Sequence, residues 1–493
     1  MRKIVAAIVT IIAAAVIGIP PLIGNLTEQR IMAQAELAKA MTDKAYDFEV
    51  LEYNSGWFGS TALVEVNLNA EHIQQIVDTV SQEDDIAAVI KAMVIQSFLD
   101  KPMPIQIEIG HGPIIFGNDM QFGILSSVIR IGPRTEDLSE LLNILDIPYL
   151  FEVSTLTRYI GVLGFTGVIP PIEVASGNAE ISFSGFNIEG SYDISARQTN
   201  SIVSLESLRA SAPGIGAVVI EDILLTIDGT NHPSILWLGK VATNIANITV
   251  NGTTPRGPFD LEIMNAGASF DTAMDDQKEL ISIEGSYYVN SFQSLDDLDL
   301  TLARINFSLS NFSREAIEEY LAYSQLVAND PRTAPPLIPG IQDMIYLTLA
   351  TSPTIQIGPI TFLWQGEPFD ADLRLDIDGS VLPPQNEFSM LDIRTITNSI
   401  TATGFTEMSP ELAETLIAEL IKYQMSTGAA LSGNQTSEDD LNTIADLQAI
   451  GMLLGLVAQD LLVESDTGYR SAFKFENREL TINDHVFPIG LPL

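Results

Sequence analysis

The sequence has no cysteine among its 493 residues. That removes disulfides, thiolate metal ligands and cysteine nucleophiles together. Histidine is nearly as scarce: His72, His111, His232 and His485 are the only four. They show no HExxH or HxH spacing, so a zinc or iron centre would need distant histidines to converge. Basic side chains are few as well. Only 24 Lys and Arg stand against 64 Asp and Glu, a net charge of −40. A surface of that sign repels phosphate, which excludes nucleic acid as a partner. The GxSxG elbow, the phosphate-binding loop and the dinucleotide fingerprint are missing. The acidic run LDDLDL at 295–300 lacks the glycine and closing glutamate of an EF-hand loop. No cofactor or metal is expected.

What remains is 46% hydrophobic and only 18% charged. Disorder needs low hydrophobicity together with high charge, so this is a folded chain with an acidic surface. Such a surface suits solubility in salt, which screens its self-repulsion.

Arg2 and Lys3 precede an apolar run at 4–24 in which Thr10 carries the one hydrogen-bonding side chain. At about 1.5 Å per helical residue the run spans roughly 30 Å, one bilayer core. The basic start places its beginning in the cytoplasm. The rival reading is a cleaved signal peptide, whose apolar region is normally about 7–15 residues. The uncleaved anchor is favoured: a single pass, with the body outside the inner membrane, in the periplasm if the source is a Gram-negative bacterium.

The expected organisation is a transmembrane anchor at 1–25 and a helical stalk at 26–45. A β-rich region with one helical insertion follows at 46–310, then strand–helix–hairpin units at 311–493. One pattern is read three times: an alternating strand, a cap, a helix, then a hairpin. ALVEVNL with Asn69 leads to a hairpin at 104–117. ARINFSLSNF with Ser313 leads to a hairpin at 353–379. SITATGF with Ser409 leads to GYRSAFKFENRELTIND. IEGSY stands at 188–192 and again at 283–287. Between 172 and 310 the period is almost wholly two, and Asp228-Gly229 and Asn251-Gly252 read as turns between strands. The expected fold class is α+β, mainly β. It is a long curved antiparallel sheet built from repeated strand–helix–hairpin units, with an N-terminal transmembrane helix.

Two short stretches stand out. In YNSGWFGSTALVEVNL, Trp57 and Phe58 sit between Gly56 and Gly59 just before a strand. They read as an aromatic plug at the end of the sheet's core, or as a contact for the membrane interface or a partner. His111 lies in GHGP with Gly112 and Pro113. As a general base it would need a nucleophile and an orienting group, and the sequence names neither. As a turn residue it needs nothing further.

The anchor, then Tyr53, Gly56, Trp57 and Phe58 in YxxGWFxS, then His111, Gly112 and Pro113 in IxHGP, resemble the YdgA-like bacterial envelope proteins. The C-terminal YRSAFKFENRELTIND resembles that family's last strands, although Arg478-Glu479 stand where a turn glycine is expected. The resemblance implies a self-associating periplasmic protein of unknown function held at the inner membrane, and it implies no catalytic residues. By fold-level analogy, anchored β-rich proteins such as the AsmA-like group hold lipid in grooves.

The functional expectation is a non-enzymatic envelope protein. It binds an apolar ligand such as lipid, or acts in envelope assembly through its curved sheet. Expected partners are the inner membrane through 4–24, a second copy, and a lipid or envelope protein. The alternative is a hydrolase acting on glycans through scattered carboxylates.

Overall fold

The structure is a computed structural model. It describes residues 46–56, 58–68, 103–111, 115–116, 120–132, 136–176, 179–232, 237–254, 257–275, 277–294, 299–329, 337–390, 392–432 and 438–487. The expected anchor and stalk lie outside these, as do Asn69, Trp57, Gly112 and Pro113. The protein is mainly β, with a long antiparallel sheet and a few helices. Contacts divide it into two compact units. Unit 1 ends at Pro213 and adds Ile223–Thr230; unit 2 holds Gly214–Asp222 and Asn231–Leu493.

Unit 1 is a ladder of consecutive strands. These are β1 (Tyr46–Ser55), β2 (Gly59–Leu68), β3 (Met103–His111), β4 (Ile115–Phe116), β5 (Met120–Gln121), β6 (Leu125–Ile131), β7 (Phe151–Thr157), β8 (Val162–Ile169), β9 (Ile172–Ser176), β10 (Ala179–Phe183), β11 (Phe186–Asp193) and β12 (Gln198–Ala212). The neighbours run β1–β2–β3–β6–β7–β8–β11–β12, all antiparallel. Strand β9 pairs with β10, and β10 pairs with the far half of β12. A short helix α1 (Glu136–Ile144) joins β6 to β7. The hairpin expected at 104–117 is not formed. Strand β3 pairs with β2 and β6 instead, and the following residues make a separate small hairpin, β4 with β5.

Strand β13 (Gly216–Asn231) has residues in both units. Unit 2 continues with β14 (Trp237–Thr254), β15 (Gly257–Asp275), β16 (Leu280–Ser294) and β17 (Asp299–Ser313), then helices α2 (Arg314–Asn329) and α3 (Leu337–Leu349). Next come β18 (Thr354–Trp364), β19 (Glu367–Ile377), α4 (Ile393–Ser399), β20 (Ile400–Met408), α5 (Pro410–Ser432) and α6 (Glu438–Ala458). The chain closes with β21 (Val463–Glu464), β22 (Tyr469–Glu476), β23 (Glu479–Ile482) and β24 (His485–Phe487). The neighbours run β14 through β20 in order, then β22, β23 and β24.

Two expected caps are present. The Ala316 amide donates to Ser313 Oγ at 3.3 Å, and the Leu412 amide donates to Ser409 Oγ at 3.1 Å. A sheet assembled from repeated strand–helix–hairpin units is not what forms. From β7 to β17, among the described residues, strand follows strand with no helix between. Antiparallel neighbours need only a tight turn to connect them. Asp228-Gly229 and Asn251-Gly252 are not turns either: they lie inside β13 and β14. Gly252 serves close approach, since a Cβ there would come within 2.6 Å of the Phe259 ring. The β22–β23 hairpin turns through Asn477 and Arg478, both at positive φ (50° and 67°). That is the type I′ signature, with arginine where glycine is usual.

Candidate functional site

Alternation along each strand combined with the register across strands determines what each face carries. In unit 2 one set of directly paired residues is Val241, Phe270, Gly285, Phe307, Ile357, Leu373, Gly404, Phe473 and Ile482. Every member is apolar or glycine. The row crosses nine strands, so at about 4.8 Å per strand it is about 38 Å long. None of the nine is buried. Tyr287 and Ile305, two residues along their strands, widen the row and are 48% and 43% exposed. The neighbouring row points to the opposite face. It reads Asp271, Glu284, Ser308, Gln356, Arg374, Thr403, Lys474 and Thr481, all polar.

Gly285 lets an aromatic ring approach the backbone on the apolar face. A Cβ there would come within 2.1 Å of Phe307 Cζ, so the ring lies across the glycine. Phe270, Tyr287 and Phe307 cluster around it, with ring centroids 5.5–6.2 Å apart. The other IEGSY copy uses the same device, with the Phe165 ring 2.5 Å from a Cβ built at Gly190.

Unit 1 repeats the pattern on its own sheet. Its directly paired row is Tyr53, Ala62, Ile107, Ile129, Val153, Gly167, Ile188 and Val203. At one end of that face lies His111, fully buried. Its Nε2 is 3.2 Å from Ser60 Oγ, and its Nδ1 has no partner among the described residues. Burial pushes the imidazole below its ordinary pKa, which favours the neutral ring. Among the described residues the structure thus puts a hydroxyl beside His111 but no carboxylate behind it, two members of a nucleophile–base–orienter set without the third.

A cleft of about 760 Å³ lies in unit 1 against the polar side of the sheet. Phe58 lines it and is 39% exposed. Within the cleft Arg130 bonds Glu108 at 3.1 Å and, more tightly, Glu152. These bonds hold the guanidinium pKa above its usual value, the Glu152 hydrogen bond being the largest cause. Among the described residues no group of three or more His, Asp or Glu is arranged to hold a metal.

Of the residues singled out in the sequence, Gly56 turns the chain by donating its amide to Gly59 O at 2.8 Å. The His111 amide donates to Phe58 O at 3.0 Å, which joins the two motif stretches. Tyr53 stands opposite Ala62. Sequence reading missed Ser60 and the composition of the rows. The one available signal was the repeated IEGSY, which marks where rings lie over glycine.

A family model described as "Bacterial protein of unknown function (DUF945)" matches residues 1–490. No curated protein and no solved structure matches the chain.

Proposed function

We propose that this chain, which belongs to the DUF945 family of bacterial proteins of unknown function, is a non-enzymatic envelope protein that holds acyl-chain lipid along the apolar face of its sheet. One observation carries the reading: a row of nine apolar or glycine positions in unit 2 in which nothing is buried, backed by a wholly polar row. Apolar surface left in water costs about 25 cal/mol per Å². Contiguous patches of it mark binding sites. The length fits as well. One leaflet's acyl chain is about 15 Å, half the bilayer core, so two lie end to end along the row. Curvature of the sheet around the row belongs to the proposal, since a flat face leaves a bound chain half in water. The envelope setting is supported by Arg2, Lys3 and the apolar run at 4–24.

The test is lipid mass spectrometry of the full chain purified from detergent. Lipid is expected at stoichiometric level. Ile357→Asp with Leu373→Asp should lower it at least tenfold, while Gln356→Ala on the polar face leaves it unchanged. No lipid on the unaltered chain, or equal lipid on both variants, overturns the proposal.

A further inference from the structure

The α5–α6 pair carries a second apolar surface, unconnected with the lipid reading. The helices meet through Ala418, Ala445 and Ala449, with Ile417 and Ile421 packed alongside. Their outward sides are also apolar: Tyr423 and Leu420 on α5, and Leu447, Ile450 and Leu454 on α6, are exposed. A helix apolar all the way round is normally covered by protein or lipid. Yet only 17% of Leu441–Ala458 is buried.

Charge selects the occupant. The two helices hold seven acidic residues and one basic one, Lys422, which pairs with Glu419 at 2.7 Å. Glu411, Glu414, Glu419 and Asp446 are exposed on the same two helices. An anionic bilayer meets repulsion there, and so does a second copy carrying the same rim. The charge-free run 447–459 also lies at the end of α6 that returns to β21, whereas a hairpin inserting in lipid leads with its tip. We infer that this surface docks an amphipathic helix of a partner protein, with an apolar stripe for Leu447 and Leu454 and flanking Lys or Arg for the acidic rim.

The test uses the full chain and a fluorescein-labelled 18-residue helix of leucine and lysine, read by anisotropy. The peptide should bind. Leu447→Glu with Leu454→Glu should weaken it at least tenfold, as should Leu447→Ser with Leu454→Ser, with circular dichroism unchanged. A leucine–glutamate helix of the same pattern and a scrambled leucine–lysine peptide should bind at least tenfold more weakly. Equal binding of the scrambled peptide means generic attraction to an acidic protein and overturns the inference, as does undiminished binding to the variants. Absence of peptide binding also overturns it. If the same variants instead abolish self-association or flotation on phosphatidylcholine vesicles, the occupant is a second copy or a bilayer.

Discussion

At the scale of single residues, Ser60 and His111 make the most exacting demand. They lie 51 positions apart and share a hydrogen bond of 3.2 Å inside the protein. Among the described residues Nδ1 is unpartnered, and that bond is the ring's remaining polar contact. Ser60→Ala should therefore destabilise by about 1–3 kcal/mol, the cost of leaving a buried polar group unsatisfied, measurable by urea denaturation. The pH dependence follows from burial. The folded pKa of His111 is lowered, so the unfolded chain takes up a proton first as pH falls. Stability contributed by the neutral ring is complete above the unfolded value of about 6.5 and declines below it. Most carboxylates titrate lower, so unfolding measured between pH 7.5 and 5 should show the slope and His111→Gln should flatten it. An unchanged slope in that variant would assign it elsewhere. The sequence showed His111 as a lone turn histidine because its partner arrives through β2–β3 pairing, which local spacing does not encode.

Among the elements, alternation was legible and register was not. Strand β3 already reads Ile105, Ile107 and Ile109 against Gln106 and Glu108, so its two faces are visible in the letters. Which residues of other strands continue those faces depends on pairing across long separations. For that reason the nine-strand apolar row was expected only in general terms. Asn251-Gly252 misled for a related reason: asparagine–glycine is a strong hairpin signal, but here the glycine makes room for Phe259 inside a strand of 18 residues. The units expected around Ser313 and Ser409 had true caps, but caps locate helix starts and leave open how many strands pass without a helix. Gly285 supplies the prediction at this scale. Any side chain there displaces the Phe307 ring and with it the cluster formed with Phe270 and Tyr287. Gly285→Ala should destabilise by about 1–3 kcal/mol through overpacking. Adding Phe307→Leu should recover part of that loss, in a double-mutant cycle read by chemical denaturation. Additive effects would show that ring and glycine are uncoupled.

The whole molecule is governed by its charge. Sixty-four acidic residues against 24 basic ones leave far more carboxylates than counter-charges. Several basic side chains in the described part are already committed to ion pairs, among them Arg130, Arg314, Arg374 and Lys474. The excess is therefore spread over polar rows and exposed helix faces, where neighbouring carboxylates repel through water. Compacting such a chain concentrates like charge, and unfolding relieves it. Added salt shortens the screening length from about 30 Å at 0.01 M to about 3 Å at 1 M, so the repulsion should fade over that range. The opposing effect is small, since surface ion pairs contribute only about 0–1 kcal/mol each and are screened too. Net repulsion should win. The urea midpoint of the full chain is expected to rise steadily from 0.01 M to 1 M sodium chloride, and chloride is the appropriate salt because sulfate also strengthens apolar burial. Replacing Asp271 and Glu284, paired opposite each other on the polar face, by asparagine and glutamine should reduce the dependence. A midpoint that stays flat or falls with salt would mean that the folded protein tolerates its charge through close pairing, and that the acidic rim of the α5–α6 pair is too well neutralised to select a cationic partner.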